Sequence, residues 1–417
     1  MTQAACGLDF GTSNSTVGVL RSGQSPLLPL ENGKVTIPSA IFFNTEDDKT
    51  SYGRAALTDY LSGYEGRLMR SLKSLLGSKL IDDQTNVQGR AMPFRALLAQ
   101  FIGELKRRAE TAAGTPFTRA VLGRPVFFVD GNPEADQFAE DTLREVAGAV
   151  GFKEVSFQFE PIAAAFAYEA TIPGEQLVLV ADIGGGTSDF SVIRLSPERA
   201  GKVDRREDIL SNGGVHIGGT DFDKYLSLAT VMPLLGMGSR LVSGGEVPSG
   251  IYFDLATWHT VNQAYTRKVW ETLRDIHREA RDKPRLERLQ NVVRRRAGHW
   301  LAMKVEESKI ALSSREQTDL VLDRLTPAET LAMHRSDFNR ATEHLLDAIG
   351  HTVAEVIRDA GVTPAQIDTV FFTGGSSGVP ILRKRIAALA PTARAVEGDA
   401  FGSIGVGLAM DAARKFS

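Results

Sequence analysis

Hydrophobic and polar positions repeat one pattern at two places in this 417-residue chain. In GLDFGTSNSTVGVL (residues 7–20) and VADIGGGTSDFSVIRL (180–195), an apolar run ends in an acid, a glycine turn carrying Thr-Ser follows, and alternation resumes. Each stretch predicts strand, tight turn, strand. Elsewhere the pattern predicts a Pro-broken strand at VTIPSAIFF (35–43), an amphipathic helix at ALLAQFIGELKRRAETA (96–112) and a buried strand at RAVLGRPVFFVDG (119–131). Two helices follow, ADQFAEDTLREVAGAVG (135–151) and PIAAAFAYEA (161–170), the second rich in alanine for close packing and entered through Glu160 and Pro161. A long helical insertion covers about 229–311, its main helices being TRKVWETLRDIHREARDK and PRLERLQNVVRRRAGHWLAMKVEESKIAL. The tail AFGSIGVGLAMDAARKF (400–416) reads as a small-residue helix; its glycines are out of register for a dinucleotide fingerprint, so they serve helix packing.

The duplicated hairpin predicts two related α/β lobes, residues 1–178 returning with 395–417, and 179–394 with the insertion. Glycines let backbone amides approach an anion, and consecutive turn amides form a nest for phosphate. An acid at the end of the incoming strand, Asp9 or Asp182, can hold Mg²⁺ through water. Either hairpin alone reads equally as a plain turn; two with matching acids read as a polyphosphate gripped from both sides. Neither is a Walker loop, since neither has GxxxxGK[ST] opening a helix. Two further glycine pairs, HIGGTDFDKYL (216–226) and FFTGGSSGVPIL (371–382), each enter a helix, where Thr220 or Ser376 is positioned to cap and exposed amides suit an anion. A capped helix without a ligand is the alternative for each. Lys73 lies on a segment that turns Leu68, Leu72 and Leu75 inward; alone it reads as a solvated lysine, and Glu160 as a dipole partner.

Composition narrows the class. Apolar residues make up 42% and charged residues 24%, ordinary for a soluble globular protein, and no apolar run is long enough to span a membrane. The start MTQAACGLDF has no secretory pattern, so the expected location is cytoplasmic. Cys6 is the single cysteine, which excludes an intrachain disulfide, and its strand position predicts a buried hydrophobe. The seven histidines are scattered without metal-ligand spacing. A net charge of −3 argues neither for nor against an anionic partner, yet residues 267–296 hold eleven Lys or Arg against five acids. Such runs are mostly solvated faces with i,i+4 pairs around Glu271, Asp275 and Glu279; an acidic surface remains the alternative, and without an RNA-binding aromatic motif nucleic acid is not expected.

Taken together, the motifs resemble the actin-like ATPase superfamily (a duplicated ribonuclease H-like fold) and, within it, the heat shock protein 70 (DnaK-type) chaperones. GLDFGTSNS and DIGGGTSDFS look like the two phosphate motifs, FEPIAAAFAYE like the connecting helix, IGGTDFD and TGGSSGVP like the glycine turns around the nucleotide, and EESKIALSS (306–314) like the adenosine-side helix. The match spans the whole chain against the ATPase domain and is nearest to the YegD-like branch, with no peptide-binding domain after Ser417. The resemblance implies two lobes around a nucleotide cleft, with ATP/ADP and Mg²⁺ as cofactors. Gly11, Thr12, Ser13 and Asn14 would cradle β- and γ-phosphates with Gly184, Gly185, Gly186 and Thr187. It also implies that Asp9 and Asp182 hold hydrated Mg²⁺, that Lys73 contacts the γ-phosphate, and that Glu160, Asp182 and Thr187 place the attacking water. Gly218, Gly219, Glu306, Lys309, Ser313, Gly374, Gly375 and Ser376 would line the nucleoside.

Two departures accompany the match. Ile310 and Gly378 stand where the family usually sandwiches adenine between arginines, and each lost cation–π contact costs about 1 kcal/mol or more. The coupling arginine expected shortly after the proline matched by Pro125 is missing from PVFFVDGNPEADQFAEDTL. The implied activity is a chaperone-like ATPase that hydrolyses ATP slowly, closes its lobes and acts through a protein partner. A small-molecule kinase of the same superfamily and a nucleotide-dependent scaffold or filament protein are the alternatives.

Overall fold

The computed structural model describes residues 4–129, 131–258, 260–399 and 402–416. The chain divides into two compact units, 1–214 with 352–377 and 386–417, and 215–351 with 378–385.

The first unit contains two five-stranded sheets built to one plan. In the first, strands run in the spatial order Glu154–Phe159, Phe117–Arg124, Ala4–Phe10, Asn14–Gly18, Thr36–Pro38. In the second the order is Arg394–Glu397, Thr369–Thr373, Gln176–Ile183, Ser188–Leu195, Ile209–Val215. Numbered by chain order within each sheet, both read 5-4-1-2-3. In both, the first strand pairs antiparallel with the second and parallel with the fourth. The registers match as well: Asp9 faces Thr16 and Phe10 faces Ser15, as Asp182 faces Asp189 and Ile183 faces Ser188. The central strands are buried on both faces, which explains their nearly continuous apolar runs.

One face of the first sheet packs Leu8 and Phe10 against Leu97, Phe101 and Leu143, from the helices Phe94–Ala113 and Pro133–Ala149. Its other face meets the terminal helix Ser403–Lys415, where Val121, Ala163, Leu408 and Ala412 form a small core. Ala163 belongs to the connecting helix Glu160–Glu169, whose Ile162, Ala165 and Phe166 pack against Val178, Val180, Ile193 and Phe371 of the second sheet. Small residues permit this layering. A Cβ on Gly407 would lie 1.8 Å from the Ala163 carbonyl oxygen, and one on Gly7 would lie 2.3 Å from the Ala409 nitrogen. The terminal and connecting helices tie both sheets into one compact unit.

In the second unit, the helix Gly219–Thr230 packs on the long helix Gly298–Ser314, and the hairpin Gln317–Leu322 with Glu329–His334 covers another side of the latter. The insertion contributes Gly250–Ala256, Arg267–Glu279 and Lys283–Arg294. Arg267 pairs with Glu271, Arg278 with Asp275 and Arg285 with Asp282, so part of the basic run is a solvated face with local pairs.

Three segments differ from the sequence expectation. The strand expected over 119–131 ends at Arg124, before Pro125 removes an N–H, and Asp130 lies outside the described residues. The helix expected over 284–312 breaks at Arg295–Ala297: Ala297 N donates to Val292 O, Arg296 adopts φ 50°, and Gly298 N bonds the Tyr265 hydroxyl. Lys73 sits in the 3₁₀ turn Leu72–Leu75 after the strand Gly66–Arg70, and of the three leucines expected to turn inward only Leu72 is fully buried. The tail helix begins at Ser403; Ala400 and Phe401 lie outside the described residues, as does Ser417. No helix among the described residues is long and apolar enough to cross a membrane.

Candidate functional site

The first unit brings the two glycine turns together. A Cβ on Gly185 would lie 2.0 Å from Ser13 Oγ and 3.2 Å from Ser13 Cβ, so the second turn approaches the first closely. Each turn has its carbonyls occupied from the protein side. Ser39 donates its hydroxyl to Gly11 O (2.7 Å) and its N–H to Ser13 O (2.9 Å). Ser376 does the same for the second turn, with its hydroxyl on Gly184 O (3.0 Å) and its N–H on Ile183 O (2.9 Å). Gly184 N bonds Thr187 O at 2.9 Å and closes the loop.

Ser376 therefore does not cap the following helix as expected. Gly374 to Gly378 has the spacing of a nucleophile elbow, but the Ser376 hydroxyl is committed to Gly184. Gly374 adopts φ 84°, and a Cβ there would lie 2.4 Å from Asp182 Oδ1, so this turn seats directly against the acid.

Beside the turns lies a group of ionisable side chains drawn from four distant segments. Lys73 Nζ donates to Glu160 Oε1 at 2.5 Å, with both side chains mostly buried. Burial works against the Lys73 cation, but Glu160 and Asp9 outweigh it and raise the lysine above its usual range, so it stays protonated. Asp9 is pushed up to about 7 by burial, then by the Glu160 charge, with Lys73 pulling the other way. Asp182, which keeps some water access, is pushed up to about 8 by burial, then by Asp189 and Glu160. Thr187 donates its hydroxyl to Asp189 Oδ2 at 3.0 Å.

Asp189 is a site residue that sequence reasoning passed over. The signal was present in the equal length of the two hairpins, which aligns Asp189 with Thr16 across from Asp9. Gly123 is another: a Cβ there would lie 3.3 Å from Glu160 Cγ.

Asp9 and Asp182 offer hard oxygen donors of the kind Mg²⁺ prefers. Among the described residues no three acidic, His or Cys side chains group closely enough to hold a metal directly. The pair therefore fits an ion that keeps most of its ligands as water and phosphate. Protons compete for both carboxylates. Their folded-state values lie above the usual ~3.9, so the native chain binds protons that the unfolded chain has released. Their contribution to stability is complete below about pH 4 and is lost as pH rises through 7 to 8. The nucleotide-free protein is expected to melt higher at pH 5.5 than at pH 8.5, and Asp182→Asn to shrink that difference; the Mg²⁺-dependent part of nucleotide affinity should instead grow with pH. Thermal melts and calorimetry at the two pH values check both signs.

Gly218, Gly219, Glu306, Lys309 and Ser313 belong to the second unit. Gly218 caps the helix Gly219–Thr230, and Asp221 accepts the Gly218 N–H at 3.0 Å. Lys309 is buried and donates to Gly219 O (3.0 Å) and Asp223 Oδ2 (2.9 Å), tying two helices together. Burial pushes Asp223 up to about 7 against the pull of Lys309. Glu306 lies one turn earlier, half-buried, and Ser313 returns its hydroxyl to Lys309 O. Ile310 is 61% exposed on the same helix, and Gly378 is exposed.

Two sheets with identical strand order, each opening on a glycine hairpin with an acid at the same register, define an actin-like ATPase fold. The chain matches the model of the Hsp70 protein family over residues 5–231 and 275–413, well over half its length, and so belongs to that family. Membership makes it an ATP-binding, chaperone-like protein. The match passes over 232–274, where the structure has the short helices of the insertion and the start of Arg267–Glu279.

Proposed function

We propose that the protein binds MgATP and hydrolyses it slowly to ADP and phosphate, with lobe closure as its output to a protein partner in the cytoplasm, and that it stands near the YegD-like branch of its family. The observation that carries this reading is the meeting of the two hairpin turns at Ser13 and Gly185 beside the Lys73–Glu160 pair. In the proposed reaction a water oxygen attacks the γ-phosphorus, the bond to the β–γ bridging oxygen breaks, and a carboxylate takes the proton. Such transfer asks mainly for positioning and charge neutralisation.

Lys73, held as a cation, faces the γ-phosphate in this reading, and Glu160, Asp182 and Thr187 orient the water. The turn residues Gly11–Asn14 and Gly184–Thr187 cradle the phosphates. Asp9 and Asp182 would hold hydrated Mg²⁺, which would supply neutralisation of phosphate charge. Gly374, Gly375 and Ser376 of the first unit, and Gly218, Gly219, Glu306, Lys309 and Ser313 of the second, are each proposed as nucleoside contacts. Family membership favours this reading over a small-molecule kinase or a filament scaffold.

Calorimetric titration with MgATP, MgADP and MgGTP, followed by phosphate release, is the test. Adenine nucleotides are expected to bind between micromolar and millimolar Kd. ATP should bind roughly tenfold or more weakly than it would with an arginine pair at Ile310 and Gly378, at about 1.4 kcal/mol per decade. No binding of ATP or ADP in that range defeats the proposal.

A further inference from the structure

The segments that carry Lys73 and Glu160 both lie beside a turn that the reaction itself does not use. The turn follows the strand Phe117–Arg124, and a single buried guanidinium pins it. Arg124 Nε donates to Pro125 O (3.0 Å), and Nη2 donates to Val126 O (3.1 Å) and Asp136 Oδ2 (2.7 Å). Nη1 bonds Glu140. Asp136 also accepts the Phe128 N–H, so the turn and the helix Pro133–Ala149 are locked through one acid. The guanidinium carbon lies 5.2 Å from the Phe128 ring centroid and 5.4 Å from that of Phe159. Four acceptors and two aromatic rings around one planar fork suit arginine and no other side chain.

From this clamp two short paths reach the ion pair. Phe159 immediately precedes Glu160, and Gly123, immediately before Arg124, abuts the Glu160 side chain. On the other side the Lys73 segment rests on the same turn, since a Cβ on Gly77 would lie 2.3 Å from Val129 Cγ2. We propose that Arg124 is a positioning residue: by fixing the 125–129 turn and Phe159 it sets how Lys73 and Glu160 meet.

This inference rests on the hydrolytic reading only for its rate measurement, and a second measurement stands without it. In the full chain, Arg124→Ala and Arg124→Lys are expected to slow single-turnover ATP hydrolysis tenfold or more while leaving the MgATP Kd within about twofold. An arginine that merely supports the fold would move both quantities or neither. Hydrogen exchange supplies the independent readout: amides in 71–78 and 157–162 should exchange at least tenfold faster in Arg124→Ala than in the parent, and near the parent rate in Arg107→Ala, which removes an exposed arginine paired with Glu104 on the helix Phe94–Ala113.

Because Arg124→Ala strands two acids and can unfold the chain, the neutral combination Arg124→Met, Asp136→Asn, Glu140→Gln is measured alongside. It is expected to fold, to bind MgATP as the parent does, and still to show the slow rate and the fast exchange. Parent-like exchange in both segments of the folded variants overturns the inference. So does a parent-like hydrolysis rate in the neutral combination. If the parent itself does not hydrolyse ATP, the functional reading fails while the exchange result still decides the role of Arg124.

Discussion

Replacing Lys73 by alanine is expected to slow phosphate release in a single turnover by about 10²–10³-fold, the usual effect of deleting a preorganised charge at a developing anion. MgATP affinity should fall far less, because the glycine turns, and not the lysine, supply most of the proposed phosphate contacts. The side chain is mostly buried, sits on Glu160 at 2.5 Å, and offsets part of the penalty on Asp9. Its removal leaves Asp9, Glu160 and Asp182 without their common cation, so both aspartates should titrate still higher and Mg²⁺ binding should need a higher pH. Lys73→Arg is not expected to rescue, since a planar fork cannot occupy the place of a compact ammonium. Thr187→Ala is the companion variant, removing the hydroxyl that Asp189 orients. Rapid quench with protein in excess over ATP separates chemistry from binding. If both variants bind MgATP like the parent and also hydrolyse it at the parent rate, the catalytic assignments are wrong.

The largest effect on stability is expected at Gly407. It lies inside the helix Ser403–Lys415, where propensity alone predicts that alanine stabilises by about 0.5–1 kcal/mol. Packing reverses the sign. The added methyl would sit 1.8 Å from the Ala163 carbonyl oxygen and 2.5 Å from its carbon, both backbone atoms of the connecting helix. Neither can move without shifting Glu160 three residues earlier. Gly407→Ala should cost roughly 3 kcal/mol or more and lower the Tm by about 6–12 °C. Gly148→Ala provides the opposite control: it lies in the helix Pro133–Ala149 with no atom within 4 Å of the new methyl, so the Tm should rise slightly. A Gly407→Ala melt at or above the parent value would show that the two helices part freely.

The sequence carried the local half of this structure. Both hairpins, their acids and their glycine turns were legible because strand, turn and strand are written in consecutive residues. The tail helix was legible too, since glycines out of dinucleotide register leave helix packing as their use. Pairings across long separations were not. Lys73 and Glu160 lie far apart in the chain, and nothing in RSLKSLLG marks its lysine as half of a buried pair. Asp189 could be read only by aligning the hairpins residue by residue, because its role comes from the register opposite Asp182. Arg124 was hidden by its surroundings: GRPVFFV reads as one apolar strand, whereas the strand stops at the arginine and the phenylalanines after it belong to a turn. The break at Arg295–Ala297 was missed because no Gly or Pro precedes it, and Arg296 takes the left-handed position that glycine normally fills.

The contact between Gly7 and Leu408–Ala409 also has a consequence in time. These groups are 401 residues apart in the chain (408 − 7), and a ribosome adds roughly 5–20 residues per second. For about 20–80 s after its first strand emerges, one face of the first sheet lacks the terminal helix that completes its cover. A strand made early is thus among the last parts to be finished. During that interval its exposed apolar strands need protection from neighbouring nascent chains.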